Sequence, residues 1–147
     1  MSVWGSDARN IWSVGESAQI LQWDGSLWRS VPSGSMDYFL SVWGTDPDHV
    51  WALGGHGILF WDGSSWNQQA AGPGKNLWGL WGSSERAVWA VGEGGSVLFW
   101  DGSGWSPRCS GTAQSLLAVW GSSAERVFAA GENGTLLEWS PSERPTQ

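Results

Sequence analysis

An all-β fold built from four-stranded antiparallel blades is predicted by three observations on the 147-residue chain. The triplet Val/Leu-Trp-Gly recurs at Val3-Trp4-Gly5, Val42-Trp43-Gly44, Leu80-Trp81-Gly82 and Val119-Trp120-Gly121, at intervals of 39, 38 and 39 residues. Each copy then carries an aromatic residue eight positions on (Trp12, Trp51, Trp89, Phe128), a glycine three further (Gly15, Gly54, Gly92, Gly131) and a third aromatic (Trp23, Trp61, Trp100, Trp139). Apolar runs of strand length lie between the glycines, and no segment has a helical period. Self-similarity at a period near 40 residues, with strand-like runs, is the signature of a β-propeller or a related stacked array. The blades run approximately 3–41, 42–79, 80–118 and 119–147 within one propeller segment, 1–147.

The third copy shows the elements in order. Leu77-Trp78-Gly79-Leu80-Trp81 is an apolar run stopped by Gly82-Ser83-Ser84, which reads as a buried strand and its turn. Ala87-Val88-Trp89-Ala90-Val91 is a second strand, closed by Gly92-Glu93-Gly94-Gly95. Ser96-Val97-Leu98-Phe99-Trp100 is a third, ending at Asp101-Gly102, a hairpin signal whose two positions are expected at φ > 0. Trp105 marks a weaker fourth strand, as Trp28 and Trp66 do in the first two copies. The fourth copy departs from the pattern: Trp139 is followed by Ser140-Pro141, and Arg144 stands in place of the fourth Trp. Pro141 and Pro145 are poor strand residues that suit a blunted edge.

A sheet apolar on both faces cannot stand alone and has to stack on its neighbours. A fully buried Trp contributes roughly 4–6 kcal/mol gross at ~25 cal/mol per Å², an upper bound because denatured chains are partly compact. Fifteen Trp can therefore hold such a stack with few large aliphatic residues. The expected core comprises Trp4, Trp43, Trp81 and Trp120 of the first strands, Trp12, Trp51 and Trp89 of the second, and Trp23, Trp61, Trp100 and Trp139 of the third. The residue before each triplet is small (Ser2, Ser41, Gly79, Ala118), as expected where first strands crowd together.

Charge and composition exclude several partners. The net charge is −7, Lys75 is the single lysine, and no basic stripe exists to neutralise nucleic-acid phosphates or lipid headgroups. No apolar run approaches the ~20 residues of a membrane-spanning helix, and Met1-Ser2-Val3 leads into the repeat without a signal region. Cys109 is alone, so no intrachain disulfide forms.

The module Leu-x-x-Val-Trp-Gly, Val-Trp-Ala-Val-Gly, Gly-x-x-Leu-x-Trp-Asp resembles the WD-repeat propellers, with Trp-Asp at Trp23-Asp24, Trp61-Asp62 and Trp100-Asp101. The resemblance covers nearly the whole chain, and it implies that the triplet strand is innermost and the Trp28, Trp66, Trp105 strand outermost. A shorter stretch, Trp-Asp-Gly-Ser-x-Trp, at Trp23–Trp28, Trp61–Trp66 and Trp100–Trp105, is similar to the Trp-rich hairpins of small propeller lectins. That likeness implies glycan binding at repeated Trp-lined sites.

The register of the repeats bears on assembly. From Trp23 to Val42 and from Trp61 to Leu80 is 19 residues, whereas eight follow Trp139. Two chains joined head to tail would form an eight-bladed ring by two-fold symmetry, and this homodimer is the favoured expectation. A stretch of a longer propeller and a compact four-bladed monomer are the other readings.

The candidate binding residues are Trp28, Trp66 and Trp105 of the outer strands, and Glu16, Glu93 and Glu132, which directly follow a glycine in three copies while Gly55 takes the slot in the second. The resemblance to propellers implies that the glutamates line the same ring face as the connections around Ser35 to Tyr38 and Gly72 to Asn76, where propellers commonly bind partners. Asp24, Asp62 and Asp101 read as turn residues before calcium ligands, because Asp in a Gly-containing turn bonds its own backbone. Asn133-Gly134-Thr135 likewise reads as a hairpin turn rather than a glycosylation site. His49 and His56 fall in different turns with no third ligand at metal spacing, so neither a metal, a cofactor nor catalysis is implied. The expected function is a non-enzymatic binding scaffold that self-associates and presents loops to a protein or peptide partner.

Overall fold

The computed structural model describes residues 1–55, 57–70 and 76–139. Among them, fifteen strands form four antiparallel sheets, three of four strands and one of three. The first sheet holds β1 (Ser2–Asp7), β2 (Asn10–Val14), β3 (Ile20–Trp23) and β4 (Trp28–Ser30), and the second holds β5 (Phe39–Asp46), β6 (His49–Gly54), β7 (Gly57–Trp61) and β8 (Trp66–Gln69). The third comprises β9 (Leu77–Ser84), β10 (Ala87–Gly92), β11 (Val97–Trp100) and β12 (Trp105–Arg108), and the fourth β13 (Leu116–Ser123), β14 (Arg126–Gly131) and β15 (Leu136–Trp139). Strands pair in chain order within every sheet, so each repeat is one up-and-down blade. The expectations placed on Ser140, Pro141, Arg144 and Pro145, on residues 72–75 and on His56 lie outside the described residues.

The register repeats with the sequence. Trp4 faces Trp12 across β1 and β2, Trp43 faces Trp51, Trp81 faces Trp89, and Trp120 faces Phe128. Two Trp-Trp pairs of the module, Trp23↔Trp28 and Trp61↔Trp66, close the outer hairpins at the third strand, as does Trp100↔Trp105. Each inner strand slips register just after its triplet glycine, between Gly5 and Asp7, Gly44 and Asp46, and Gly121 and Ser123. Such bulges bend and twist a strand.

Two compact units divide the chain, Met1–Ala70 and Ala71–Gln147, each of two blades. In the first unit β1 and β2 lie against β5, and the core joins Trp12, Val14 and Ile20 of the first blade to Phe39, Val42, Trp61 and Trp66 of the second. Trp12 is fully buried, its ring centroid 5.0 Å from that of Trp61 and 5.2 Å from that of Trp66, the latter edge-on at 86°. In the second unit β9 and β10 lie against β13, and Trp89 stacks on Trp139 at 5.5 Å with 15° between the planes. Thus the second-strand aromatic of one blade covers the third-strand Trp of the next in both units.

The inner strands approach closely, as the small residues before the triplets anticipate. A Cβ at Gly79 would lie 3.1 Å from Ala118 Cα, and Ser2 Oγ accepts the Val42 N–H at 3.3 Å. A second contact recurs: the Trp4 ring lies on Gly44, where a Cβ would be 2.8 Å from it, and the Trp81 ring lies on Gly121, where a Cβ would be 2.5 Å away. Within each unit the triplet Trp of one blade is therefore a knob and the triplet Gly of the next blade its notch.

Trp120 corrects the expected core. It is 60 % exposed, although Trp4, Trp43 and Trp81 at the same position are partly buried. Within the second unit the Trp81 knob has Gly121 as its notch, and no glycine notch there receives Trp120.

Candidate functional site

Two repeated features carry the candidate residues. The outer hairpins are the more regular of the two in sequence. Asp24 Oδ1 accepts the Ser26 N–H at 2.9 Å, the Ser26 hydroxyl at 2.7 Å and the Leu27 N–H at 3.0 Å. Asp62 does the same with Ser64 and Ser65, and Asp101 with Ser103 and Gly104. One carboxylate oxygen so organises a four-residue loop, and the expected two-residue turn is replaced. Of the Asp-Gly pairs only the glycines have φ > 0 (Gly25 96°, Gly63 89°, Gly102 96°), because the aspartate acts through its side chain instead of its own backbone twist.

The second oxygen of the first two aspartates is held by the residue five positions on. Arg29 Nε donates to Asp24 at 2.8 Å, and Asn67 Nδ2 to Asp62 at 2.9 Å. Arg29 and Asn67 do the same work and are committed to the turn. The Arg29 guanidinium, with the Leu27 and Ser26 donors, holds the Asp24 carboxyl well below the usual carboxylate range. The Ser64 hydroxyl and the Ser65 and Ser64 N–H groups lower Asp62 likewise, and the Ser103 hydroxyl leads the same set of donors at Asp101. A lowered native pKa stabilises the fold fully above the ordinary value, about 4, and that contribution fades as pH falls through the native value. Carbon-detected NMR titration is expected to find the midpoints of all three aspartates below that of free aspartate, about 4; ordinary midpoints would show the loops to be open in solution.

The outer Trp residues do not share one environment. Trp28 is 44 % exposed, Trp105 is partly buried, and Trp66 is 8 % exposed inside the first unit's core. Trp66 is therefore a core residue, because Trp12 of the preceding blade lies against it. The indole N–H groups of both Trp66 and Trp105 are buried with no hydrogen-bond acceptor. Trp28 alone of the three keeps an open face, beside Trp23 at 5.7 Å. Trp23 itself donates its indole N–H to the Ala8 carbonyl at 3.1 Å, and Trp100 to Glu85 at 2.9 Å, pinning the third strand to the β1–β2 and β9–β10 turns.

The acidic turns form the second feature. Glu16, Glu93 and Glu132 each precede two left-handed residues: Ser17 and Ala18 (φ 57° and 57°), Gly94 and Gly95 (58° and 73°), Asn133 and Gly134 (54° and 74°). The carbonyl of each glutamate accepts the N–H three residues on, from Gln19, Ser96 and Thr135. Gly-Gly and Asn-Gly are the residues such a turn demands. Ser-Ala is not, and left-handed backbone costs an L-residue roughly 1–2 kcal/mol. Strain of this kind concentrates at functional sites. Asn133 Nδ2 also donates to Gln114 Oε1 at 2.6 Å, in keeping with its reading as a turn residue.

The connection leading to each inner strand packs beside these turns. Phe39 N–H bonds the Gly15 carbonyl at 2.9 Å, Glu93 N–H the Asn76 carbonyl at 2.8 Å, and Glu132 N–H the Ser115 carbonyl at 2.9 Å. All three glutamates are exposed, and Glu93 Oε2 accepts from Asn76 Nδ2 at 3.0 Å. In the second blade the Tyr38 ring lies over Gly55, where a Cβ would be 2.5 Å from the phenol oxygen, which explains why that copy has glycine in the glutamate slot. Tyr38 is exposed beyond that contact, and Met36 two residues before it is wholly exposed. Both lie in the connection that the sequence marks around Ser35 to Tyr38, where an aromatic and a thioether outside the periodic pattern were the available signal.

Of the other polar candidates, His49 Nδ1 lies 2.8 Å from Asp46 Oδ1, and Cys109 is an exposed free thiol. Among the described residues no group of three His, Cys, Asp or Glu is placed to hold a metal.

Comparison with known protein families gives no match, and comparison with curated proteins gives none. Solved structures do match. The protein YCF48 from Cyanidioschyzon merolae superposes with a TM-score of 0.79 at 19 % identity, over 98 % of this chain and 51 % of that one. A structure of YCF48 bound to D1 peptide matches at 0.71 and 20 % identity, over 92 % and 48 %. The computationally designed Ika4 protein matches at 0.76 and 16 % identity, over 95 % of this chain and 89 % of that one. The chain thus spans about half the length of YCF48 and most of Ika4. At these identities the likeness concerns the fold, and it is that of β-propeller blades.

Proposed function

We propose that this chain is a non-enzymatic propeller scaffold that binds a cationic peptide segment and self-associates as a head-to-tail homodimer. The observation that supports the peptide reading most is the grouping in the first unit of a strained acidic turn with the connection that exposes Met36 and Tyr38. Glu16 offers a carboxylate and Tyr38 a ring face, which together suit a Lys or Arg side chain, and Met36 offers an adaptable apolar contact. The backbone bond between Phe39 and Gly15 holds the two segments side by side. The acid excess of the whole chain favours the same ligand charge. A protein of the same fold, YCF48, is known in a peptide complex.

An array of short synthetic peptides, half Lys/Arg-rich and half Asp/Glu-rich, tests it. Binding is expected on the basic half, weakened at high salt, and reduced about tenfold or more, some 1.4 kcal/mol, by Glu16→Gln with Tyr38→Ala. Equal binding to both halves, or none to either, rejects the reading.

Carbohydrate binding is a second reading, favoured by the open face of Trp28 beside Trp23 and the Asp24–Arg29 pair. It predicts hits on a glycan array and quenching of Trp fluorescence by the bound sugar. A silent array removes it.

A further inference from the structure

We infer that the backward face of the first blade and the forward face of the fourth are the two halves of one seam, filled by a second copy of this chain. The inference rests on the self-association proposed above and assigns its residues. Within each unit, one blade sends forward an inner-strand Trp, a second-strand aromatic and a third-strand aliphatic. In the first unit these are Trp4, Trp12 and Ile20, received by Val42, Gly44, Trp61 and Trp66. In the second unit Trp81, Trp89 and Val97 meet Val119, Gly121 and Trp139.

The fourth blade carries the same forward set, Trp120, Phe128 and Leu136, and the first blade the same receiving set, Val3, Gly5, Trp23 and Trp28. Both stand open. Leu136 is 70 % exposed where Ile20 and Val97 are buried, and Val3 is 65 % exposed where Val42 and Val119 are buried. At Gly5, which is exposed, the atoms nearest a Cβ are those of Ile11 and Asn10 of its own hairpin, where Gly44 and Gly121 have an indole. Trp23 and Trp28 touch each other and lack the second-strand aromatic that covers Trp61 and Trp66. One chain therefore carries a knob without a notch and a notch without a knob, in the register that already packs twice inside it. A second copy satisfies both faces, with Trp120 over the partner's notch and Phe128 over its outer Trp pair, and two-fold symmetry makes the seam twice.

Light scattering after size exclusion on the 147-residue chain reads the outcome. The wild type is expected as a dimer at micromolar concentration. Trp120→Asp and Val3→Asp, each at a residue exposed in the single chain, should each weaken association by at least about thirtyfold, the scale of an interface hot spot. Ala113→Asp, on an exposed connection, should leave the dimer intact. An equimolar mixture of the Trp120→Asp and Val3→Asp chains keeps one undamaged seam, and a heterodimer should return. Far-UV circular dichroism on the same samples reads folding. A monomeric wild type, a dimer that survives Trp120→Asp, or no recovery on mixing overturns the seam. Peptide capture by the Trp120→Asp monomer, measured separately, should persist, so failure of the seam and failure of the binding face are told apart.

Discussion

Trp12→Ala is expected to cost about 3–5 kcal/mol, the range for emptying the site of a buried large aromatic. The side chain is fully buried and touches Trp61 and Trp66 of the next blade, so its loss removes the principal aromatic contact between the two blades of the first unit. A chain of this size has roughly 5–15 kcal/mol in all, so the unit would sit at or past its limit. Urea unfolding followed by circular dichroism should show the early loss of a transition, while an unchanged midpoint would mean the blades do not depend on this contact. Trp12→Phe should cost much less. The indole N–H of Trp12 is buried without an acceptor, so removing it breaks no hydrogen bond, and the repeat itself places Phe128 at this position.

Gly92→Ala should destabilise the second unit by about 1–3 kcal/mol, toward the upper end of overpacking costs. The new Cβ would run into the Asn76 carbonyl and Leu77 Cα, both backbone atoms that cannot rotate aside. Conformational freedom is not the reason, since Gly92 has φ −174°, which any residue adopts. A glycine in a strand otherwise gains roughly 0.5–1 kcal/mol on becoming alanine, so two opposed effects meet here and the clash should win. Gly15 is the internal control: its Cβ would meet only the Met1 side chain at 3.3 Å, so Gly15→Ala should be neutral or stabilising. Thermal melts of the two variants should move in different directions, and a stabilised Gly92→Ala would sink the argument. Gly131, packed against the Ser115 carbonyl, should behave as Gly92 does.

The candidate site was less legible than the blade. The acidic turns could be found because Glu16, Glu93 and Glu132 follow a periodic glycine. Tyr38 and Met36 left a weaker signal, an aromatic and a thioether in a connection outside the period, where no repeated position marks them. The outer Trp residues misled for a related reason. Trp28, Trp66 and Trp105 are one position in the repeat, yet Trp66 is buried because Trp12 of the preceding blade covers it, while Trp28 is exposed. The Asp-Gly hairpins show a third limit: the dipeptide marked the turn, but two donors from serine and one further N–H drew the aspartate side chain into a four-residue loop.

What the sequence determined by itself is the module: strand order, the Trp-on-Gly spacing of the triplet, and the turns that separate the strands. These are local or periodic matters, set by alternation along a strand and by what glycine and aspartate do in a tight turn. Only the tertiary structure decided which copies of an identical residue are core. Burial belongs to a pair of faces, and a repeat written along one chain does not say where its stacking is interrupted. Trp4 has a Gly44 to rest on, whereas Trp120, in the same motif, is 60 % exposed.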